Sequence, residues 1–157
     1  MDLPSHVIWS YALFHSQQWA AVAVVFCVLP DLLWFLPRLA TFALHRGKIQ
    51  FADANDLRTR HLYRTNHSLL TAALASAFVY FIFGQQIATG VAAGWLLHIF
   101  MDIWTHKGGI VDGIRIFYPV SDWKFPAPIY WREEVGKRPW LYLINILLAA
   151  IAYFVAM

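Results

Sequence analysis

Charge is scarce in this chain. Only 13% of its 157 residues are Asp, Glu, Lys or Arg, against about 25% in an ordinary soluble domain. Too few polar side chains are present to wet the surface of a soluble fold, so lipid is the simplest solvent for the remainder. Cysteine is scarcer still. Cys27 stands alone in an apolar run, which excludes an intrachain disulfide and leaves the redox compartment open. Internal repeats and low-complexity tracts are absent. No Lys or Arg precedes the first apolar stretch, so a cleavable signal peptide is not expected.

Apolar and aromatic residues are what the chain has in quantity. The hydrophobic fraction is 60%, including 8 Trp, 7 Tyr and 12 Phe. Four apolar runs stand out, Trp19–Leu36, Ser68–Phe83, Ile87–Trp104 and Trp140–Met157. Each approaches the ~20 residues that cross a ~30 Å hydrocarbon core. A shorter apolar run, Leu3–Phe14, predicts a buried or re-entrant helix, folded back on the first span through the turn His15–Gln18. The expected fold is therefore all-α: an integral membrane helical bundle of four transmembrane helices plus a short N-terminal helix, forming one domain over 1–157.

Two polar stretches interrupt the apolar runs, at about 37–67 and 105–139. The first reads as partly helical, the second as irregular, with Gly108, Gly109, Gly113, Pro119, Pro126 and Pro128. The 12 Lys and Arg divide evenly between them. Four spans put both stretches on one side, which the positive-inside rule makes cytoplasmic. The net charge of +3 forms no single stripe, and no nucleic-acid partner is expected.

Polar residues inside the apolar runs carry the chemistry. His98 and Asp102 are four apart in the third span and share a helix face. An imidazole and a carboxylate so placed can reach one cation. An aspartate at the centre of a span costs about 2.5–3.5 kcal/mol, a penalty that a bound divalent ion removes. Asp31 lies near the end of the first span, and His67 opens the second. In the folded-back hairpin, His6 lies about as far from the turn as Asp31, and so at a similar depth. Residues of four separate segments thus converge on one level of the membrane.

Each has a plainer explanation. His98 and Asp102 can hydrogen-bond to one another and to neighbouring helices. Asp31 in Pro-Asp can mark a helix end. His67 can simply precede Ser68 as N-cap, and His6 can be packing. His106 suits an interfacial loop, and His15, His45 and His61 suit the surface. Asp53, Asn55 and Asp56 lack the full calcium-loop pattern and read as a solvated loop. Arg60 and Arg64 can bind either an anionic substrate or lipid headgroups.

The order of motifs resembles a known family. His6, Leu29-Pro30-Asp31, Arg64-Thr65-Asn66-His67-Ser68, His98-x-x-x-Asp102, Thr105-His106-Lys107-Gly108-Gly109 and Tyr118-Pro119-Val120-Ser121-Asp122 follow one another as in the inner-membrane, YdjM-like metal-dependent hydrolases. The resemblance covers about residues 6 to 125. It implies a membrane-embedded helical protein in which His6, Asp31, His67, His98 and Asp102 are ligands to a divalent metal ion. Asn66 departs from the Thr usual there, which bears on contacts behind the ligands.

The expected function is hydrolysis by one or more divalent ions, with zinc suited to nitrogen and oxygen donors. Asp31 or Asp102 would serve as general base, and Arg64 or Arg60 would stabilise developing negative charge. A lipid or amphiphilic phosphoester is the expected substrate class, and membrane lipids are the expected partners. The alternatives are a non-catalytic membrane protein with a structural metal, a haem protein with His67 and His98 as axial ligands, and a cation transporter.

Overall fold

A computed structural model describes residues 1–44, 57–107 and 113–157. His45, the Asp53–Asp56 stretch and Gly108–Gly109 lie outside the described residues. Seven helices and no strands are found among those described: α1 (Leu3–Phe14), α2 (Ala20–Leu44), α3 (Leu57–Asn66), α4 (Leu69–Phe83), α5 (Gln85–Thr105), α6 (Trp131–Lys137) and α7 (Trp140–Val155). The protein is an all-helical membrane bundle. The helices α2 and α5 are each long and apolar enough to cross a bilayer. The number rises to 4 if α3 with α4, bent by 69°, and α6 with α7, bent by 115°, each count as one broken span.

The surface fits that solvent. Phe81 is 84% exposed and Phe154 67%, and Leu74, Phe78 and Leu147 stand out beside them. Such an apolar exterior is stable only against lipid or a partner.

The close packing of α2 on α5 sets the rest. A Cβ added at Gly94 would lie 2.1 Å from the Ala23 carbonyl oxygen, and one at Gly90 would lie 2.9 Å from Val22 Cβ. Small residues four apart let two membrane helices approach backbone to backbone. Helical periodicity then propagates the register. One turn beyond Ala23 and Gly94 come Cys27 and His98, and one turn further come Asp31 and Asp102. The core beside this seam is Ala72, Val91, Trp95 and Ile99, with Val22, Phe26 and Leu69 packed on it.

Three local features position the remaining elements. The short helix α1 packs on α2, as the hairpin reading expects, and also on α7. Against α7, Asn145 accepts from Trp9 Nε1 at 2.8 Å and donates to Ser5 Oγ at 3.1 Å. At the start of α4, Ser68 Oγ accepts from the Thr71 amide at 3.1 Å, the N-cap role anticipated for it. Gly84, with φ +81°, makes the one-residue break between α4 and α5 in a conformation that side chains resist.

Helix boundaries differ from expectation in two places. The first apolar run ends at about Leu36, whereas α2 continues through Pro37 to Leu44, into the stretch read as partly helical. The second polar stretch is not wholly irregular, because α6 forms within it. Its other described part, from Gly113 to Tyr130, is tied down by main-chain bonds. The Leu69 amide donates to Ile116 O at 2.9 Å and the Lys107 amide to Ile129 O at 2.8 Å.

Candidate metal centre

Four donor residues arrive from three parts of the fold. Asp31 comes from mid-α2, His67 from the bend between α3 and α4, and His98 and Asp102 from successive turns of α5. One donor atom from each lies within 4.8 Å of all the others. His67 Nε2 is 3.5 Å from Asp31 Oδ1 and 3.3 Å from Asp102 Oδ2. His98 Nε2 is 3.3 Å from Asp102 Oδ2 and 3.9 Å from Asp31 Oδ1. Donors placed around a tetrahedral ion with ~2.0–2.1 Å bonds stand about 3.3 Å from one another. His67, His98 and Asp102 side chains are fully buried, whereas Asp31 keeps 19% of its side chain exposed.

His6 joins from α1. Its Nε2 is 3.2 Å from Asp102 Oδ1 and 3.8 Å from Asp31 Oδ2, and its ring stacks on His98 with centroids 4.1 Å apart. The structure therefore brings His6, Asp31, His67, His98 and Asp102 together at one depth. It does not bring Arg64 among them. Arg64 Nη1 lies 3.8 Å from Asp122 Oδ1, beside Arg115, whose Nε is 3.3 Å from the same oxygen. Arg60 is exposed on α3. His61 meets Tyr118 Oη at 2.5 Å, and the His15 ring lies tilted against Tyr153, centroids 4.0 Å apart.

Hydrogen bonds behind the cluster assign the ring protons. His98 Nδ1 lies 2.7 Å from Cys27 O, and His67 Nδ1 lies 2.8 Å from Tyr63 O. A carbonyl only accepts, so each Nδ1 carries a proton and each neutral ring turns a bare Nε2 lone pair inward. Those two Nε2 atoms are 2.9 Å apart. Two lone pairs at that distance repel. A second proton on one ring relieves that pair and faces Asp102 Oδ2, 3.3 Å from either Nε2. It leaves His6 Nε2, which makes no hydrogen bond among the described residues. A cation held by all the donors answers every one of these groups, so the residues fit a divalent metal. The supporting carbonyls are the outer contacts that fix ligand tautomers in metal sites. Haem fits poorly, since a macrocycle between His67 and His98 needs more room than 2.9 Å.

Three neighbours were not assigned by sequence. His106 Nδ1 is 3.3 Å from Asp102 Oδ1, and the Met1 ammonium also contacts that oxygen. The spacing of Asp102 and His106, again four residues, was the available signal for the first. Cys27 Sγ is 4.0 Å from His6 Nδ1, and His6, Cys27 and His98 make a second group of potential donors that shares two of its members with the cluster above. Asn66 contributes through its main chain, its carbonyl accepting from Trp95 Nε1 at 2.7 Å. That support for His67 does not depend on the Asn66 side chain.

Fold and site together define a helical integral membrane protein with a buried histidine–aspartate cluster able to hold a metal ion. A family model described as YdjM inner membrane protein matches residues 7–157, and the chain belongs to that family. His6 falls one residue before the matched region. No curated protein and no solved structure matches the chain.

Proposed function

We propose that this protein is a membrane-bound, metal-dependent hydrolase acting on an amphiphilic phosphoester. The observation that carries the reading is the inward-facing donor set: two imidazole Nε2 atoms 2.9 Å apart against two aspartates, all on different turns or helices. His67, His98, Asp31 and Asp102 would hold the ion, with His6 beside them. Zinc suits these nitrogen and oxygen donors. A divalent ion bound there supplies Lewis acidity and makes water a stronger acid at neutral pH.

The chain's own residues divide the remaining work. Asp31 is the ligand-set residue reachable from a cavity, so it is placed to accept a proton from an incoming water. Asp102, fully buried and approached by four histidines, is suited to holding positive charge. Apolar helices around the cluster exclude bulk water and strengthen each electrostatic contact. The basic stretches join the same end of the bundle as the cluster, and in this reading that end faces the cytoplasm.

The test is hydrolysis by detergent-purified protein of a panel of soluble and lipid phosphoesters, with and without added zinc. Turnover that disappears in Asp31→Asn while metal stays bound supports the reading. Bound metal with no hydrolysis of any substrate favours a structural metal site instead.

A further inference from the structure

A cavity of about 580 Å³ opens beside the cluster, between the start of α1, the middle of α2, α3 and α6. Asp31 lies on its wall, so this is the approach to the donor set. Leu32, Phe35, Trp131 and Val135 make much of the lining apolar. Two arginines line it, Arg132 exposed on α6 and Arg38 buried on α2. Arg38 is only 1% exposed and is among the largest fully buried side chains of the described residues.

Its direction follows from helix geometry. Trp34 is three residues after Asp31 and Arg38 seven, so all three share one face of α2. The Arg38 Cζ atom lies 4.4 Å from the Trp34 ring centroid. The side chain therefore folds back toward the helix N-terminus, as long helical side chains do. The guanidinium reaches the level of Trp34, one turn and about 4.5 Å of rise from Asp31. A guanidinium over an indole at that position lines the cavity beside the cluster, and its planar donor set is of the kind that matches phosphate oxygens.

We propose that Arg38 is the anion-binding residue of this cavity. It grips the phosphate group of an amphiphile while the apolar walls take its chain. This assignment gives Arg38 the role that sequence alone gives to Arg64 or Arg60. It rests on the hydrolase reading for its biological purpose, but the binding it claims is measurable without turnover.

The experiment titrates dioctanoyl phosphatidic acid and, separately, glycerol phosphate into full-length protein in a neutral maltoside detergent. Wild type, Arg38→Gln and Arg38→Lys are compared, with metal content and thermal unfolding measured on each sample. The lipid should bind wild type at least tenfold more tightly than it binds Arg38→Gln, at equal metal content. Arg38→Lys, which keeps the charge and loses the fork, should fall between. Weaker binding of glycerol phosphate than of the lipid identifies a headgroup with its chain as the ligand; equal binding identifies free phosphate. Affinities within twofold across the three proteins overturn the assignment. If Arg38→Gln does not fold, Arg38→Lys decides, with at least a threefold loss expected and wild-type affinity fatal. Wild type without metal that still binds phosphate through Arg38 would refute the hydrolase reading and leave this one standing. Wild type with metal but no phosphate binding would do the reverse.

Discussion

Gly94→Ala tests the seam that positions the whole cluster. The added Cβ would meet Ala23 O at 2.1 Å and the Ala23 carbonyl carbon at 2.9 Å, both backbone atoms that cannot rotate away. Ordinary contact needs roughly another 1 Å, so α2 and α5 must part locally by about that much. One turn on, the His98 Nδ1–Cys27 O bond of 2.7 Å would stretch beyond hydrogen-bonding reach. Overpacking of this kind costs about 1–3 kcal/mol. A loss near 2 kcal/mol lowers the unfolding midpoint by about 4–8 °C for a chain of this length. Gly136→Ala is the control, because a Cβ there meets nothing within 4 Å. Placed in α6, it should be neutral or slightly stabilising, since alanine is the better helix former. Thermal unfolding in detergent, with metal content on the same samples, reads both. Gly94→Ala with wild-type stability and wild-type metal would refute the register argument.

Other perturbations separate scaffold from site. Asn145→Leu removes the bonds to Trp9 and Ser5; at about 0.6 kcal/mol per interhelical bond, it should cost about 1 kcal/mol in thermal unfolding. Ser68→Ala loses the N-cap of α4 and should cost about 1 kcal/mol, read the same way, with metal content little changed. His6→Ala should weaken metal retention in a chelator competition without abolishing it, since the four-residue donor group stays complete.

Much of the scaffold is readable from apolar run length. Leu3–Phe14 coincides with α1, and the run beginning at Ser68 coincides with α4 and its cap. The end of α2 was not readable, because the apolar run gives out at about Leu36 while the helix continues through Pro37 to Leu44. A long membrane helix tolerates proline when neighbours satisfy the freed backbone groups. That misjudged boundary also hid Arg38, which counts as a loop charge in sequence and is a buried cation in the fold. The shared depth of His6, Asp31, His67 and His98 follows from counting residues along helices. The tautomers do not, because they depend on which carbonyls of α2 and α3 face the rings. Likewise, Arg64 is indistinguishable from a site residue in sequence, and its pairing with Asp122 depends on how the Gly113–Tyr130 segment wraps.

Metal content of the detergent-purified protein, set beside His98→Ala and Asp102→Asn, probes the cation most directly. Wild type is expected to carry a divalent ion at stoichiometric level, and both variants to lose it while remaining helical. Equal metal in all three proteins, or none in wild type after zinc loading, would contradict a cation-binding cluster.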